Sequence, residues 1–375
     1  MKWINFIFNF ELKIVGAKIM KISNIITEWY KKNRRNLPWR ETSDPYLIWV
    51  SEVILQQTRV NQGLDYYLRF TERFPDIHSL AAADEQELMK MWQGLGYYSR
   101  ARNLLVAARQ VTEQFNGIFP SDQESLLQLK GVGKYTAAAV ASIAFNKPVA
   151  AVDGNVARVL SRLFAVSEPV NSTRGEKMID ELAGEILDSK RPGDHNQALM
   201  EFGALQCIPY SSSGPLCEEC PLKHECMARN SNNVAKYPVK LKSGRIRNRY
   251  FTYLIINNRG QTFLKRRTAN DIWKQMFEFP LIEHNGVVNE IELLRKIEQI
   301  LQLSGDEMVI TSVSEMIRHQ LTHQYITAQF VHLDVPKSGF IPQHNWLPVL
   351  FEEVNQFPLP RLIDRYLEVH AGTKR

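Results

Sequence analysis

The hydrophobic pattern of the chain changes its period once. From about residue 20 to residue 206, apolar positions recur at three- and four-residue steps, as in Leu104, Leu105, Ala108 and Val111, and again in Val156, Val159, Leu160 and Leu163. That spacing marks amphipathic helices. Breakers at Asp44-Pro45, Phe74-Pro75, Phe119-Pro120 and Arg191-Pro192-Gly193 divide the stretch, so a bundle of many short helices is predicted. After Tyr250, β-branched and aromatic runs take over. Tyr250–Ile256 and Gln261–Lys265 flank a turn at Asn257-Asn258-Arg259-Gly260, a helix is predicted over Glu290–Leu303, and strands over Met308–Val313 and Thr327–Val335. The expected architecture is a mainly α region followed by an α+β domain.

Residues 229–249 lie between the two patterns and carry seven Lys or Arg and no acid. By composition this is a linker, either a solvated tether or a strap along a phosphate backbone. The expected organisation is an extension over 1–19, a helical domain over 20–228, a basic linker over 229–249 and a second domain over 250–371. The opening MKWINFIFNFELKIVGAKIM has the apolar run of a signal peptide, but Glu11, Lys13 and Lys18 interrupt it and no small-residue cleavage site follows. It is also too short and too charged to span a bilayer. It reads as an extension ahead of the fold, with Met20 an alternative start, so no membrane association and a cytoplasmic location are expected.

At 375 residues, 44% hydrophobic and 23% charged, the chain can bury two or three cores. A net charge of +6 permits a polyanionic partner without requiring one. All four cysteines fall between Cys207 and Cys226, which points to a metal site in a reducing compartment rather than to disulfides. The arrangement Cys207-x9-Cys217-x2-Cys220-x5-Cys226 suits tetrahedral zinc or a [4Fe–4S] cluster, and spacing alone does not choose.

Three motifs carry chemistry. In LLQLKGVGKYTAAAV, Gly131 and Gly133 allow a tight turn with exposed backbone N–H groups at the start of the next helix. Such a nest binds a phosphate without reading sequence, and the segment resembles a helix-hairpin-helix DNA-binding element. In AVDGNVARVLSR, Asp153 opens a helix and by itself reads as an N-cap. In PYLIWVSEVILQQTRV, Glu52 sits in an otherwise apolar helix. A carboxyl group in such surroundings keeps its proton to higher pH and can act as a general acid; an isolated glutamate would be read as a surface residue.

Together with WQGLGYYSRARN at residues 92–103, these segments, in this order, resemble the MutY-type adenine DNA glycosylases from about Trp29 to beyond residue 320. The resemblance implies a helix-hairpin-helix glycosylase fold with an iron–sulfur module, followed by a Nudix-like C-terminal domain. It implies that Glu52 protonates adenine N7 and then assists water, and that Asp153, oriented by Asn155, stabilises the oxocarbenium-like sugar. Tyr135 stands where bifunctional relatives carry a lysine nucleophile; tyrosine cannot form a Schiff base, so a monofunctional enzyme is expected. Arg40, Gln57 and Gln197 match contacts to the flipped adenine. Tyr97 matches a ring wedged beside the oxidised guanine, with Gln56 nearby. Gly131, Gly133 and Lys134 match phosphate contacts.

The family carries a [4Fe–4S] cluster on the residues matching Cys207, Cys217, Cys220 and Cys226. Its usual first gap of six residues is enlarged to nine here, an insertion that a flexible loop tolerates. DIWKQMFEFP at residues 271–280 resembles the family's Nudix-like domain, although the acidic Nudix box is missing and pyrophosphatase activity is not expected. HQLTHQ places Thr322 and His323 where the family senses 8-oxoguanine, with Leu321 in place of an aromatic residue. The implied partner is duplex DNA bearing A opposite 8-oxoguanine or G, bound by a monomer. Two other readings are an endonuclease III-like glycosylase and lyase, disfavoured by Tyr135 and by the second domain, and a non-catalytic DNA-binding iron–sulfur protein, disfavoured by the Glu52 and Asp153 pair.

Overall fold

The computed structural model describes residues 21–210, 214–241, 246–335 and 340–371. The expected N-terminal extension and part of the enlarged cysteine gap lie outside the described residues. The chain divides into two compact units, one of residues up to Ala82 with Asn103–Lys242, the other of Ala83–Arg102 with Ser243–Arg375. Among the described residues, no helix is long and apolar enough to cross a membrane.

The first unit is helical, as the three- to four-residue spacing predicts. A helix over 21–33 (α1) leads through a 3-10 turn at Pro38–Arg40 into α2 (Pro45–Leu55), α3 (Val60–Arg73) and α4 (Ile77–Ala81). Helix α5 (Glu85–Met91) and the start of α6 (Ser99–Gln114) fall in the second unit. The remainder of the first unit comprises α7 (Gln123–Leu127), α8 (Lys134–Phe145), α9 (Gly154–Leu163), α10 (Thr173–Ile186), α11 (Pro192–Leu205) and α12 (Met227–Asn230). Helix starts follow the capping chemistry of the sequence: Asp44 caps α2 ahead of Pro45, Asp153 caps α9 and Ser172 caps α10. One core joins α1, α9, α10 and α11 through Ile22, Ile26, Val156, Leu160, Ile179, Leu199 and Phe202.

Two of these helices bury nearly every face. In α2, Tyr46 and each residue from Ile48 to Ile54 are buried. In α8, Ala137 to Ala141 are fully enclosed, and their small side chains let neighbouring backbones approach closely. A helix apolar all round belongs inside the fold, so a polar residue upon it is held away from water.

The second unit holds a mixed sheet in the order β4-β1-β7-β5, with β6 also pairing with β7, and a three-stranded sheet in the order β3-β2-β8. Its strands are β1 (Arg247–Asn257), β2 (Gln261–Arg266), β3 (Phe277–Glu278), β4 (Leu281–His284), β5 (Val309–Val313), β6 (Ile317–Gln320), β7 (Gln324–Asp334) and β8 (Trp346–Leu350). β1 and β7 run parallel from Arg247↔Gln324 to Asn257↔Asp334. Helix α13 (Glu290–Leu301) buries Leu293, Ile297 and Leu301 against Leu254, Ile256 and Ile282, and Tyr366 of α14 (Arg361–Ala371) stacks on Phe330 with centroids 3.7 Å apart. β1 begins three residues before the apolar run, because Arg249 there is neutralised by Asp271 and Glu283 and can be buried.

Candidate active site

A cavity of about 850 Å³ in the first unit is lined by the 3-10 turn, α2, the starts of α8 and α9, and α11. On its wall lie Arg40, Glu52, Gln56, Gln57, Gly131, Gly133, Lys134, Tyr135, Asp153, Asn155 and Gln197, all named from the sequence.

Glu52 is only 9% exposed because α2 is buried on every side. Burial, which penalises the anion, is the main cause pushing its pKa up to about 7. The hydroxyl of Tyr135 donates to Glu52 Oε2 at 2.5 Å and opposes that rise, the charge of Asp153 adds to it, and Arg40 opposes it. The Tyr135 hydroxyl also lies 3.1 Å from Met200 Sδ. Its own pKa stands well above the ordinary range through burial and the two nearby carboxyl groups, so it remains a neutral donor.

Asp153 does serve as the N-cap that the sequence suggests, its Oδ1 accepting from the Val156 N–H at 2.7 Å. Its other oxygen accepts from the Asn155 side-chain amide at 2.7 Å, and Asn155 Oδ1 in turn accepts from Arg158 at 2.9 Å. Burial raises the Asp153 pKa, opposed by these bonds and by Arg158. The cavity thus holds one carboxyl poised near neutrality and a second fixed by two hydrogen bonds.

The hairpin takes the form its glycines imply. Gly131 has φ +78°, and a Cβ there would meet Asn103 Cβ at 2.6 Å. Gly133 is the N-cap of α8, and open space surrounds the place where a Cβ would be. Lys134 is exposed and paired with Asp180. Gln56 donates to Thr136 at 3.2 Å, and Gln57 has φ +57°. Gln197 Oε1 accepts from the Tyr30 hydroxyl at 3.1 Å.

Sequence reasoning missed Glu201, Arg35 and Met200. Buried Glu201 accepts from Arg35 through its backbone N–H, Nε and Nη2, and from Arg40 through Nη1 at 2.8 Å and Nη2 at 2.7 Å. The usable signal was polar Gln197 and Glu201 one helical turn apart amid Ala198, Leu199, Met200 and Phe202.

The remaining predicted residues lie elsewhere. In the second unit the hydroxyls of Tyr97 and Thr322 touch, and the Arg100 guanidinium lies 5.7 Å from the Tyr97 ring centroid. His323 is exposed, and its carbonyl accepts from the Arg247 N–H at 3.1 Å. In the first unit, Cys207, Cys220 and Cys226 pack against the helical core. Buried Arg162 donates to Cys207 Sγ at 3.3 Å. Burial, then neighbouring groups including the other thiols, raises the pKa of Cys217. Burial pushes Cys220 up to about 12. Among the described residues, no three His, Cys, Asp or Glu side chains close tightly enough to hold a single ion.

Comparison with known proteins matches two regions of the chain. Residues 50–185 match the HhH-GPD superfamily base excision DNA repair protein family, and residues 251–369 match the NUDIX domain family. The chain is 31% identical over 351 residues to the adenine DNA glycosylase of Buchnera aphidicola subsp. Acyrthosiphon pisum, covering 92% of this chain and 96% of that protein. It is 43% identical over 222 residues to the adenine DNA glycosylase of Homo sapiens, covering 57% of this chain and 40% of that one. A solved thermostable thymine-DNA glycosylase superposes with a TM-score of 0.53 at 32% identity, covering 57% of this chain and 98% of that structure.

Proposed function

The chain belongs to the adenine DNA glycosylase family of base excision repair, and from that premise we propose that it hydrolyses the N-glycosidic bond of adenine mispaired with 8-oxoguanine or guanine, as a monofunctional enzyme acting on duplex DNA. The observation that carries the reading is Glu52: a carboxyl group buried on an apolar helix, bonded to Tyr135 and facing Asp153 across a cavity large enough for a purine nucleotide.

Adenine leaves poorly as an anion, so its departure needs a proton. Glu52, holding one near neutrality, gives it to N7 of an adenine flipped into the cavity. As the C1′–N9 bond breaks, its electron pair goes to the base, which leaves neutral, and positive charge develops on the sugar. Asp153, held by the Val156 N–H and Asn155, faces that charge in a fixed orientation. Water then adds to C1′ and returns its proton to Glu52. Tyr135 holds the Glu52 carboxyl in place and offers no amine for a Schiff base, so the DNA strand stays intact. Flipping costs a few kcal/mol, which a mispair reduces.

The exposed backbone at Gly131 and Gly133 would track a phosphate, and Thr322 with His323 would read the base opposite adenine. Cys207, Cys217, Cys220 and Cys226 would hold a [4Fe–4S] cluster. A cage of four irons spaces its thiolates more widely than a single ion does, and the Arg162 guanidinium, which donates to Cys207 Sγ and acts on Cys217 and Cys226, suits a set of anionic thiolates. When bound, the cluster would cross-link the 207–226 segment onto the helical core.

The test is excision by purified full-length protein from duplexes carrying A opposite 8-oxoguanine, A opposite G and A opposite T, each with and without hot alkali. Release from the first two, with strand breaks only after alkali, is expected. Breaks without alkali would overturn the monofunctional assignment, and equal release from the A:T duplex would overturn the mispair preference.

A further inference from the structure

The two arginines at the cavity are not free to choose their partners. Arg35 and Arg40 both reach Glu201, whose side chain is 1% exposed on α11, one helical turn beyond Gln197. Each guanidinium meets the carboxylate through two nitrogens, the Arg35 N–H adds a fifth bond, and Arg40 Nη1 also donates to the Arg35 carbonyl at 3.1 Å. Burial alone would raise the Glu201 pKa, yet the donated bonds of Arg40 and Arg35 bring it down to about 2. It is therefore an anion throughout the working pH range.

We infer that Glu201 is a positioning residue for base excision: it tethers Arg40 and Arg35 away from Glu52 and cancels part of their charge, so that the cavity tolerates a protonated purine and a cationic sugar. The inference rests on the excision chemistry proposed above and assigns Glu201 a part in it. A second cation beside a developing cation raises the barrier, and a guanidinium released beside a carboxyl group stabilises its anion. The groups facing Glu52 are Tyr135 from α8, Asp153 at the start of α9 and Arg40 from the 3-10 turn, while Arg35, Arg59, Lys134 and Glu201 complete the charged lining. With Glu201 in place, Arg40 opposes the raised pKa of Glu52 less than the Tyr135 hydrogen bond does. Without Glu201, Arg40 has its two bonds to donate again, and the Glu52 carboxyl lines the same cavity.

The sign follows from the acid's task. Glu52 must begin protonated, so the rate falls as pH rises through its pKa. Lowering that pKa moves the fall to lower pH and removes about tenfold in rate at pH 8 for each unit of displacement. A merely structural loss would reduce the rate at every pH alike.

The experiment measures single-turnover adenine release from an A:8-oxoguanine duplex between pH 5 and 9, using full-length wild-type, Glu201→Gln, Arg40→Gln and doubly substituted protein. For Glu201→Gln, the alkaline limb is expected to move down by about one pH unit, with about tenfold loss at pH 8 and recovery on acidification. In the double variant, which lacks Arg40, the guanidinium that acts on Glu52, the limb is expected to return to that of Arg40→Gln. An unshifted limb in Glu201→Gln, or a shift that persists in the double variant, overturns the inference. If Glu201→Gln does not fold, Glu201→Asp, too short to hold both guanidiniums, must show the same shift in smaller degree, and an unshifted limb there overturns the inference equally. Failure of wild-type protein to release adenine would instead count against the proposed function.

Discussion

Two acidic side chains, Asp271 in the second unit and Glu52 in the first, meet opposite electrostatic surroundings. In the second unit, Arg249 is bidentate to both Asp271 and Glu283, Arg267 bridges Asp271 and Glu278, and Tyr253 lies 3.4 Å from Glu278. Asp271 ends below the ordinary carboxylate range despite partial burial, because Arg249 donates to it. In the cavity of the first unit, Glu52 is buried more completely than Asp271, accepts one hydrogen bond from a neutral hydroxyl, and rises to about 7. Asp271, given charged donors from Arg249 and Arg267, stays ionised. A carboxyl denied them keeps a proton it can give away. Glu201 applies the first treatment within the cavity that depends on the second.

The largest expected effect comes from removing the exchangeable proton. Glu52→Gln should lower single-turnover excision by about 10²- to 10⁴-fold, the usual worth of a general acid, while mispair binding persists. The same substitution should stabilise the protein at high pH. A carboxyl raised to about 7 from near 4.5 contributes no penalty at low pH, loses stability as pH rises through that interval, and bears the full cost above it. That cost is about 3 kcal/mol. Chemical denaturation at pH 8 should therefore show a more stable variant, with the difference vanishing near pH 4. A variant with normal excision removes Glu52 from the chemistry, and one without the pH-dependent gain removes its raised pKa.

Breaking the other side of the comparison should affect folding alone. Arg249→Met leaves Glu283 without its bidentate partner and Asp271 with Arg267 only. Removing one partner of a buried pair costs about 3–5 kcal/mol, and the lower figure applies because both carboxylates are about one-third exposed and can regain water. Amide exchange along β1 and β4 should become roughly a hundredfold faster. Unchanged exchange would show that the network contributes nothing to the sheet.

What was legible in the sequence divides along the same line. Glu52 stood out because Ile48, Trp49, Val50, Val53 and Ile54 surround it within one helix, so its burial could be read locally. Gly131, Gly133 and the capping Asp153 were legible for the same reason: their conformations are set within a few residues. Glu201 was not, because its partners Arg35 and Arg40 lie 166 and 161 positions away, and only the fold brings them together. Arg249 read only as part of a basic linker, a solvated tether or a strap along the phosphate backbone, since the acids that bury it come from β4 and from Asp271. β6 and β8 escaped notice because they are short and half exposed, and Pro348 interrupts the strand grammar of β8.

The smallest effect sharpens the comparison at its weakest charge. Lys134 opens α8 beside Gly133 and pairs with Asp180, but its side chain is 67% exposed, so the pair is screened by water and salt. Lys134→Ala should change stability by less than about 1 kcal/mol. If the lysine instead leaves Asp180 for a DNA phosphate, the variant should bind any duplex more weakly, matched or mispaired, and the slope of log affinity against log salt should flatten by about one unit. Excision at saturating enzyme should keep its wild-type rate and pH profile, since Lys134 is not among the groups that shift the Glu52 carboxyl. A Lys134→Ala protein with an unchanged salt slope would assign this residue to the α8–α10 surface pair, leaving the hairpin backbone at Gly131 and Gly133 to meet the phosphate without it.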